Sequence, residues 1–284
     1  MKGLTGNLLA TIEVYYNAVP RTAARVEDLS PFVLFVQQGA GWPYYARPQL
    51  GAGSFTAADV VRVRDRQREL GIPEAFEWVA ETTPELHAAA TAAGLVVNDH
   101  PLMVLADMPA ASPEPPPGIT IRLVTPEDDH ALLSVVARVG FSFPGTARGD
   151  AGPEQVAQAV GERTPEPSTP PQAWVTPWVA FRRDRLARGL TVMAVAHADG
   201  VPVAVGSHQP VDTVTEITGV ATLPAFRRRG IGAALTALLT WDSQERGVRT
   251  VFLSAGNEEI ARVYERTGFR RIGTACIAAP LEPD

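Results

Sequence analysis

The stretch Arg227-Arg228-Arg229-Gly230-Ile231-Gly232 decides the fold, because it joins a predicted strand to a predicted helix. The β-branched run 216–222 leads into it, and an apolar run with helical spacing follows over 233–246. A basic loop at a helix N-terminus aims several backbone N–H groups at one anion, and the helix dipole adds partial positive charge. Gly230 and Gly232 remove Cβ atoms where ligand oxygens approach the backbone. The sequence therefore predicts a site for a phosphorylated ligand.

Two better-known phosphate loops do not match this stretch. The dinucleotide fingerprint would need its third glycine at Leu235. A Walker loop needs Gly-Lys-Ser/Thr, and Lys2 is the only lysine in the chain. Taken alone, the loop is explained equally well by a basic surface turn, so the sequence that follows it is needed to decide.

The sequence after the loop carries a second group of marker residues. A short apolar strand is predicted over 250–254, followed by a helix from Asn257 that ends at Gly268. Asn257, Ala261 and Tyr264 have i, i+4 and i+7 spacing, so they share one helical face. With the Arg-x-x-Gly-x-Gly loop, the run Asn257-x3-Ala261-x2-Tyr264-Glu265-x2-Gly268-Phe269 strongly resembles the GNAT superfamily of acyl-CoA-dependent N-acetyltransferases. The resemblance covers about residues 118–279.

The resemblance implies an α/β (α+β) GNAT fold, with a mixed central sheet flanked by helices. It also implies direct transfer of an acetyl group from acetyl-CoA, as co-substrate, to a primary amine in a ternary complex. The loop amides would hold the pyrophosphate, the strand at 220–222 would pair with the pantetheine arm, and the Val220 N–H would polarise the thioester carbonyl. The implied cofactor-binding residues are Val220, Ala221, Thr222, Arg227, Arg228, Arg229, Gly230, Ile231, Gly232, Ala233, Asn257, Ala261 and Tyr264.

Two side chains are candidates for the proton transfers that acetyl transfer requires. Tyr264 is the candidate general acid for the leaving thiolate; the alternative is a core tyrosine. Glu216 is the candidate general base, because it precedes Gly230 by 14 positions (230 minus 216), a spacing that resembles the histone-acetylating branch. A solvent-facing strand glutamate is an equal alternative. Simple alternation places Glu216 on the face of Val220 and Thr222, and a bulge in the strand would change that.

Charge and composition argue against nucleic acid, a membrane and a metal ion as partners. The net charge of −6 argues against broad nucleic-acid binding, and the chain has no run of about 18 apolar residues that would span a membrane. No metal is predicted, since the five histidines and the single cysteine form no cluster with ligand spacing; His197 and His208 are isolated on a predicted hairpin. Cys276 is predicted to be a buried, reduced thiol, and the N-terminus makes a poor signal peptide. These features predict a cytoplasmic protein.

A proline-rich linker at 109–117 divides the predicted N-terminal domain, 1–108, from the predicted catalytic domain, 118–284. A shift of 174 residues (268 minus 94) places Gly94 on Gly268 and lays 76–79 on 250–253. We interpret this as a diverged repeat of two GNAT-like halves; the alternative is an unrelated α/β cap. The N-terminal half has lost the loop glycines, arginine and tyrosine at the matching positions, so it is predicted to be structural. The tandem arrangement resembles the mycothiol-synthase type, although no residue establishes that substrate.

Local patterns predict further elements. In the N-terminal half they are a hairpin of 32–37 with 42–45, a helix over 57–70, a strand over 75–80, a helix over 84–93 and a strand over 95–105. In the C-terminal half they are a strand over 119–124, a helix with Thr125 as its N-cap, and a hairpin across Asp199-Gly200. The segment 142–177 is predicted to be irregular, with a short helix near 154–163, and to lie on the acceptor side. Its flanking aromatic residues, which line an acceptor pocket or anchor the loop, are Phe141, Phe143, Trp174 and Trp178.

The acceptor stays open at this point. A small-molecule amine is favoured, whereas a protein-terminus or lysine acetyltransferase would need an open, peptide-wide cleft. A different class of function, a non-catalytic acyl-CoA-binding or regulatory protein, would keep the donor site without turnover. The oligomeric state, for which a homodimer is one option, and acyl donors other than acetyl-CoA are also open.

Overall fold

A computed structural model describes residues 2–107, 114–161 and 177–281 of the chain. The chain forms two compact units. The first comprises Met1–Met103, Ser254–Ala261 and Arg271–Asp284, and the second comprises Val104–Leu253 and Arg262–Arg270. Residues 109–113 of the predicted linker and Trp174 lie outside the described residues, and the domain boundaries stay a prediction.

The described residues form both helices and strands. The helices are α1 (Lys2–Ala18), α2 (Ala57–Glu69), α3 (Glu85–Ala92), α4 (His130–Phe141), α5 (Pro153–Gly161), α6 (Pro177–Ala187), α7 (Ile231–Glu245) and α8 (Glu258–Glu265). The strands are β1 (Ala24–Leu29), β2 (Phe32–Gln37), β3 (Ala46–Pro48), β4 (Phe76–Val79), β5 (Val96–Leu105), β6 (Ile119–Leu123), β7 (Val192–Ala198), β8 (Val201–Val211), β9 (Val214–Thr222), β10 (Thr250–Ser254) and β11 (Phe269–Ala279). Among the described residues, no helix combines the length and apolar character needed to cross a membrane.

The first unit is built on strands in the order β1-β2-β3-β4-β11-β5. The elements predicted over 57–105 are confirmed to within two residues at each end. Helix α2 begins at a capping box in which the Thr56 and Asp59 side chains each bond the other's backbone N–H. The predicted hairpin is wrong in its second strand: 42–45 is irregular and β3 begins at Ala46. Gly39 and Gly41 have φ of +83° and +142°, so the chain makes a longer loop before it pairs with β2.

The second unit is built on strands in the order β10-β9-β8-β7-β6. Strands β6 to β9 pair antiparallel in succession, and β9 pairs parallel with β10. The predicted hairpin turn is confirmed, because Asp199 and Gly200 have φ of +49° and +79°, as a two-residue type I′ turn requires. The short helix predicted near 154–163 is present as α5, which the structure describes as far as Gly161. Helix α6 follows at Pro177 and was not predicted.

The start of α4 corrects a prediction. Thr125 is not the N-cap; that role belongs to Asp129, whose side chain accepts a hydrogen bond from the Leu132 N–H at 2.9 Å. The Asp128 carboxylate accepts from the Thr125 N–H at 2.7 Å and from the Arg122 guanidinium at 2.6 Å. These bonds close a turn over 125–128 and delay the helix to His130.

Candidate active site

Strand β9 contains a bulge that sets the direction of its side chains. Val205 pairs with Ala221 and Ser207 pairs with Thr218, so Gly219 and Val220 together lie opposite one residue of β8. Gly219 has φ of +63°, which a glycine adopts without steric cost. The extra residue moves Glu216 to the face that carries Thr218 and Ala221. The simple alternation that groups Glu216 with Val220 is therefore wrong, because the bulge inserts one extra residue between them.

Packing distances identify what each face of β9 contacts. A Cβ placed on Gly140 of α4 would lie 3.0 Å from the Ala221 Cβ, so that face packs on α4. A Cβ placed on Gly206 of β8 would lie 3.2 Å from the Val220 Cγ2 and 3.0 Å from the Leu235 Cδ2 of α7. Val220 therefore points toward α7, and Glu216 belongs to the α4 side of the sheet.

Strands β9 and β10 pair over only a short length. Their register runs from Val214 opposite Thr250 to Glu216 opposite Phe252, while β9 continues to Thr222. Among the described residues, 217–222 pair with β8 and with no strand on the other side. A strand that pairs on one side can accept an extended ligand as an added strand on the other.

The basic loop has the backbone shape of an anion cradle. Arg228 has φ of +63°, unusual for a residue other than glycine, and Gly230 has φ of +75° and is the N-cap of α7. The first main-chain bond into α7 runs from the Ala234 N–H to the Gly230 carbonyl. The first-turn N–H groups, through Ala233, consequently have no helical acceptor. Arg228, Arg229 and Gly230 are exposed, so the first turn of α7 opens to solvent.

Arg227 performs a different task from its neighbours. Its Nη2 donates to the carbonyls of Gly140 at 2.8 Å and Phe143 at 2.6 Å, and its Nε donates to the Thr222 carbonyl at 3.2 Å. Its Nη1 donates to the Ala147 carbonyl at 3.3 Å. The side chain thus joins the end of α4 and the following loop to β9, and it faces protein acceptors rather than a ligand phosphate.

Glu216 lies beside a polar cluster on the α4 side. It is half-buried and stands opposite Gln209 in the register of β8. The Gln209 Oε1 accepts a hydrogen bond at 3.1 Å from the Nη2 of Arg185, a buried residue of α6. The next pair on the same face, Ser207 and Thr218, is bonded through its hydroxyls at 3.0 Å. This cluster was not anticipated from the sequence, because α6 was not predicted.

The three marker residues of α8 have separate local roles. The Asn257 Oδ1 accepts from the Ile260 N–H at 2.9 Å, as an N-cap does, and Ala261 is buried. Both belong to the first unit, whereas Tyr264 belongs to the second. The Tyr264 ring packs edge-on against Phe269, with centroids 5.7 Å apart. Burial raises the pKa of Tyr264 to about 12, so its hydroxyl stays protonated at neutral pH.

Two other predicted side chains are structural. Cys276 is fully buried in the first unit and its thiol donates to the Asp99 Oδ1 at 3.2 Å. Burial and Asp99 raise the pKa of Cys276 to about 12, which excludes a thiolate nucleophile at neutral pH and confirms the buried thiol. His208 is also fully buried: its Nδ1 lies 3.0 Å from the Thr215 Oγ1 and its Nε2 lies 3.0 Å from the Asp242 Oδ2 of α7.

Comparisons with known proteins agree with this geometry. The family model described as "Acetyltransferase (GNAT) family" matches residues 155–269. A mycothiol acetyltransferase of Cellulomonas flavigena is 29% identical over 211 residues, which are 72% of this chain and 56% of the relative, so the chain spans little more than half of that protein.

Solved structures share the fold. A GCN5-related N-acetyltransferase from Kribbella flavida superposes with a TM-score of 0.68 at 22% identity, covering 97% of this chain and 96% of its own. A functionally unknown conserved protein from Staphylococcus epidermidis does so with a TM-score of 0.52 at 14% identity, covering 90% and 92%. The matched segment contains the bulged strand, the left-handed loop and α7. The chain thus matches the acetyltransferase (GNAT) family model over 155–269 and shares its fold with these solved structures.

Proposed function

We propose that this chain is an acyltransferase of the GNAT superfamily, and that it moves the acetyl group of acetyl-CoA to a small-molecule primary amine by direct attack in a ternary complex. The observation that carries the proposal is the continuous path from the bulge at Gly219-Val220 through a half-paired strand into the left-handed loop at Gly230. The match to the GNAT family model supports acetyl-CoA as donor. The name of the curated relative supports a small acceptor, since mycothiol is a small molecule.

The donor would bind along that path. The amides from Arg228 to Ala233 would hold the pyrophosphate, with charge added by the exposed Arg228 and Arg229 side chains. The pantetheine arm would pair with β9 at 220–222, on the side away from β8. The superfamily resemblance also assigns Asn257 and Ala261 to the binding of this arm. A bulge leaves a residue out of the regular ladder, so the Val220 N–H is the group we assign to the thioester carbonyl.

The chemistry then needs one base and one acid. The amine nitrogen attacks the thioester carbon, the C–S bond breaks, and the amine proton passes to the Glu216 carboxylate. Glu216 suits this role because the bulge directs it to the α4 side, away from the α7 side that Val220 faces. The leaving thiolate would receive a hydrogen bond from the Tyr264 hydroxyl.

The pKa of Tyr264 limits how far its proton moves. A pKa of about 12 keeps the hydroxyl protonated and able to donate. A free thiol has a pKa of about 8.5, well below that of Tyr264, so complete proton transfer to the thiolate would be unfavourable. Tyr264 therefore stabilises the thiolate as a hydrogen-bond donor, and the proton reaches the product thiol from solvent.

The first unit would have no catalytic centre of its own. We interpret it as the diverged, structural GNAT-like half over 1–108, in tandem with a catalytic domain over 118–284. The position that matches Tyr264 is Ala90, which is fully buried among apolar side chains. The position that matches the loop glycine Gly230 is Thr56, which serves as the N-cap of α2.

The first test is a thermal-shift titration with acetyl-CoA on the wild type and on Gly230→Glu. Acetyl-CoA at about 100 times its dissociation constant should add about 2.7 kcal/mol to the free energy of unfolding of the wild type. The variant adds a carboxylate at the phosphate position and should lose this shift. Gly247→Glu is the matched control, because Gly247 also has positive φ (+83°) and open space around it but lies after the other end of α7.

Release of free thiol from acetyl-CoA with a panel of amines is the second test. Amine-dependent release that Gly230→Glu abolishes and Gly247→Glu retains would support acetyl transfer. Binding of acetyl-CoA without turnover of any amine would instead favour the non-catalytic acyl-CoA-binding function. A wild type that does not bind acetyl-CoA would overturn the proposal.

A further inference from the structure

A second polar cluster lies between α4 and α6, and the proposed reaction does not yet use it. On α6, Trp178 and Arg182 have i and i+4 spacing and face the first turns of α4. The Trp178 Nε1 donates to the Ser134 Oγ at 3.4 Å, and the Arg182 guanidinium carbon lies 5.1 Å from the centre of the Trp178 ring. This contact holds the charged end of Arg182 against the Trp178 face, where it is shielded from water.

Three nitrogen atoms of this cluster are buried and have no hydrogen-bond partner in the part of the chain that the structure describes. They are the Arg182 Nη1, the Arg183 Nε and the His130 Nδ1. His130 is 1% exposed, and its other ring nitrogen, Nε2, lies 3.2 Å from the Pro126 carbonyl. That carbonyl can only accept, so Nε2 carries the proton and Nδ1 of the neutral ring is an unused acceptor.

Among the described residues, no carboxylate balances the charge of the cluster. Neither Arg182 nor Arg183 forms an ion pair within 2–107, 114–161 and 177–281. Burial lowers the pKa of Arg182, and burial together with the charges of Arg182 and Arg183 lowers the pKa of His130. Buried cations are normally paired, because an unpaired buried charge is costly.

A neighbouring arginine shows what a satisfied side chain looks like here. Arg185, one turn along α6, is buried and donates to the Thr191 Oγ1 at 2.9 Å, the Leu190 carbonyl at 3.0 Å and the Gln209 Oε1 at 3.1 Å. Gln209 stands opposite Glu216, so Arg185 links α6 to the strand position of the candidate base. The unbalanced cluster therefore adjoins the face from which an amine would reach Glu216.

We propose that Arg182 and Arg183 bind an acid group, a carboxylate or a phosphate monoester, carried by the acceptor amine. The inference rests on the proposed acetyl transfer and names its substrate class. Two guanidinium groups with free N–H bonds match the planar fork of a carboxylate or the oxygens of a phosphate. A bound acid group would also favour the protonated form of His130 and turn its Nδ1 into a third donor.

The test compares matched acceptors that differ only in the acid group. One series is ω-amino acids of increasing chain length with their amides, and the other is ethanolamine phosphate with ethanolamine. For the preferred acid-bearing acceptor, Arg182→Gln should raise the KM by at least about tenfold, while the KM of its neutral partner changes by less than about twofold. Arg188→Gln is the control, because Arg188 is exposed on the same helix and pairs with Asp184. The series that is preferred identifies the acid as carboxylate or phosphate.

A second readout does not depend on turnover. Inorganic phosphate or acetate should raise the melting temperature of the wild type and of Arg188→Gln, and not that of Arg182→Gln. If Arg182→Gln does not fold, Arg183→Gln takes its place in both experiments. Anion stabilisation through Arg182 without acetylation of any amine would keep the site and refute acetyl transfer. Equal use of acid-bearing and neutral amines, or an equal effect of Arg182→Gln on both, would refute the anion site and leave acetyl transfer intact.

Discussion

Replacing Arg227 with glutamine should destabilise the second unit without directly removing a contact to acetyl-CoA. The Arg227 guanidinium donates to four main-chain carbonyls, of which the bonds to Gly140 and Thr222 are partly buried and those to Phe143 and Ala147 are exposed. Charge-assisted bonds that are partly buried contribute about 1 to 1.5 kcal/mol each, and exposed ones much less. The expected loss is therefore about 2 to 3 kcal/mol, or roughly 5 to 10 °C in melting temperature for a unit of this size.

Arg228→Gln is the matched variant for the opposite effect. Arg228 is exposed in the left-handed loop, and among the described residues it forms no side-chain hydrogen bond or ion pair. Its loss should leave the melting temperature within about 1 °C and weaken acetyl-CoA binding by about three- to tenfold at low salt. The difference between wild type and Arg228→Gln should shrink as ionic strength rises, because the contact is an exposed charge on a phosphate.

Calorimetric unfolding and acetyl-CoA titration of both variants test whether Arg227 stabilises the fold and Arg228 binds acetyl-CoA. The reasoning is refuted if Arg227→Gln keeps the wild-type melting temperature yet binds acetyl-CoA more weakly than Arg228→Gln does. That pattern would mean that the Arg227 side chain leaves its carbonyl partners to reach the donor.

Three further changes test the chemistry and the interior. Glu216→Gln should lower kcat by about 10² to 10⁴ while the acetyl-CoA dissociation constant stays within about twofold; an unchanged kcat would remove Glu216 as the base. Tyr264→Phe keeps the ring that packs on Phe269 and should lower kcat by about tenfold, with a loss in acetyl-CoA affinity instead indicating a binding role. Asp242→Asn should cost about 2 to 3 kcal/mol at pH 7, because it weakens bonds to buried His208 and to the half-exposed Arg246. Burial alone would raise the pKa of Asp242, but His208 and Arg246 together lower it. The stabilisation by the Asp242 carboxylate is therefore present above about pH 4 and is lost as the pH falls further. Denaturant unfolding at pH 7 and pH 3 should show a smaller difference in the free energy of unfolding between variant and wild type at pH 3.

The backbone shape of the proposed donor side could be predicted from sequence, because short-range rules control it. Gly230 is required where the backbone takes φ of +75°, and Gly219 marks the bulge with φ of +63°. The turn at Asp199-Gly200 and the spacing of 257, 261 and 264 are likewise local patterns. The predicted N-cap of α4 was wrong because another local interaction competes with it. Thr125 fits the N-cap pattern, but its N–H donates to the Asp128 carboxylate in a turn that precedes the helix.

The acceptor side could not be predicted, because long-range contacts determine it. Arg182, Arg183 and Arg185 are three basic residues within four positions of sequence, and nothing local distinguishes them. In the structure, Arg185 has three acceptors, whereas Arg182 and Arg183 keep buried nitrogens without one. Arg227 shows the same limit inside the best motif, since the pattern marks it for a phosphate and the fold gives its donors to Gly140 and three other carbonyls. A basic residue in this chain is thus informative only through the groups that neutralise it. Arg182 and Arg183 have no neutralising group among the described residues, and on our proposal they indicate where the acceptor brings a negative charge.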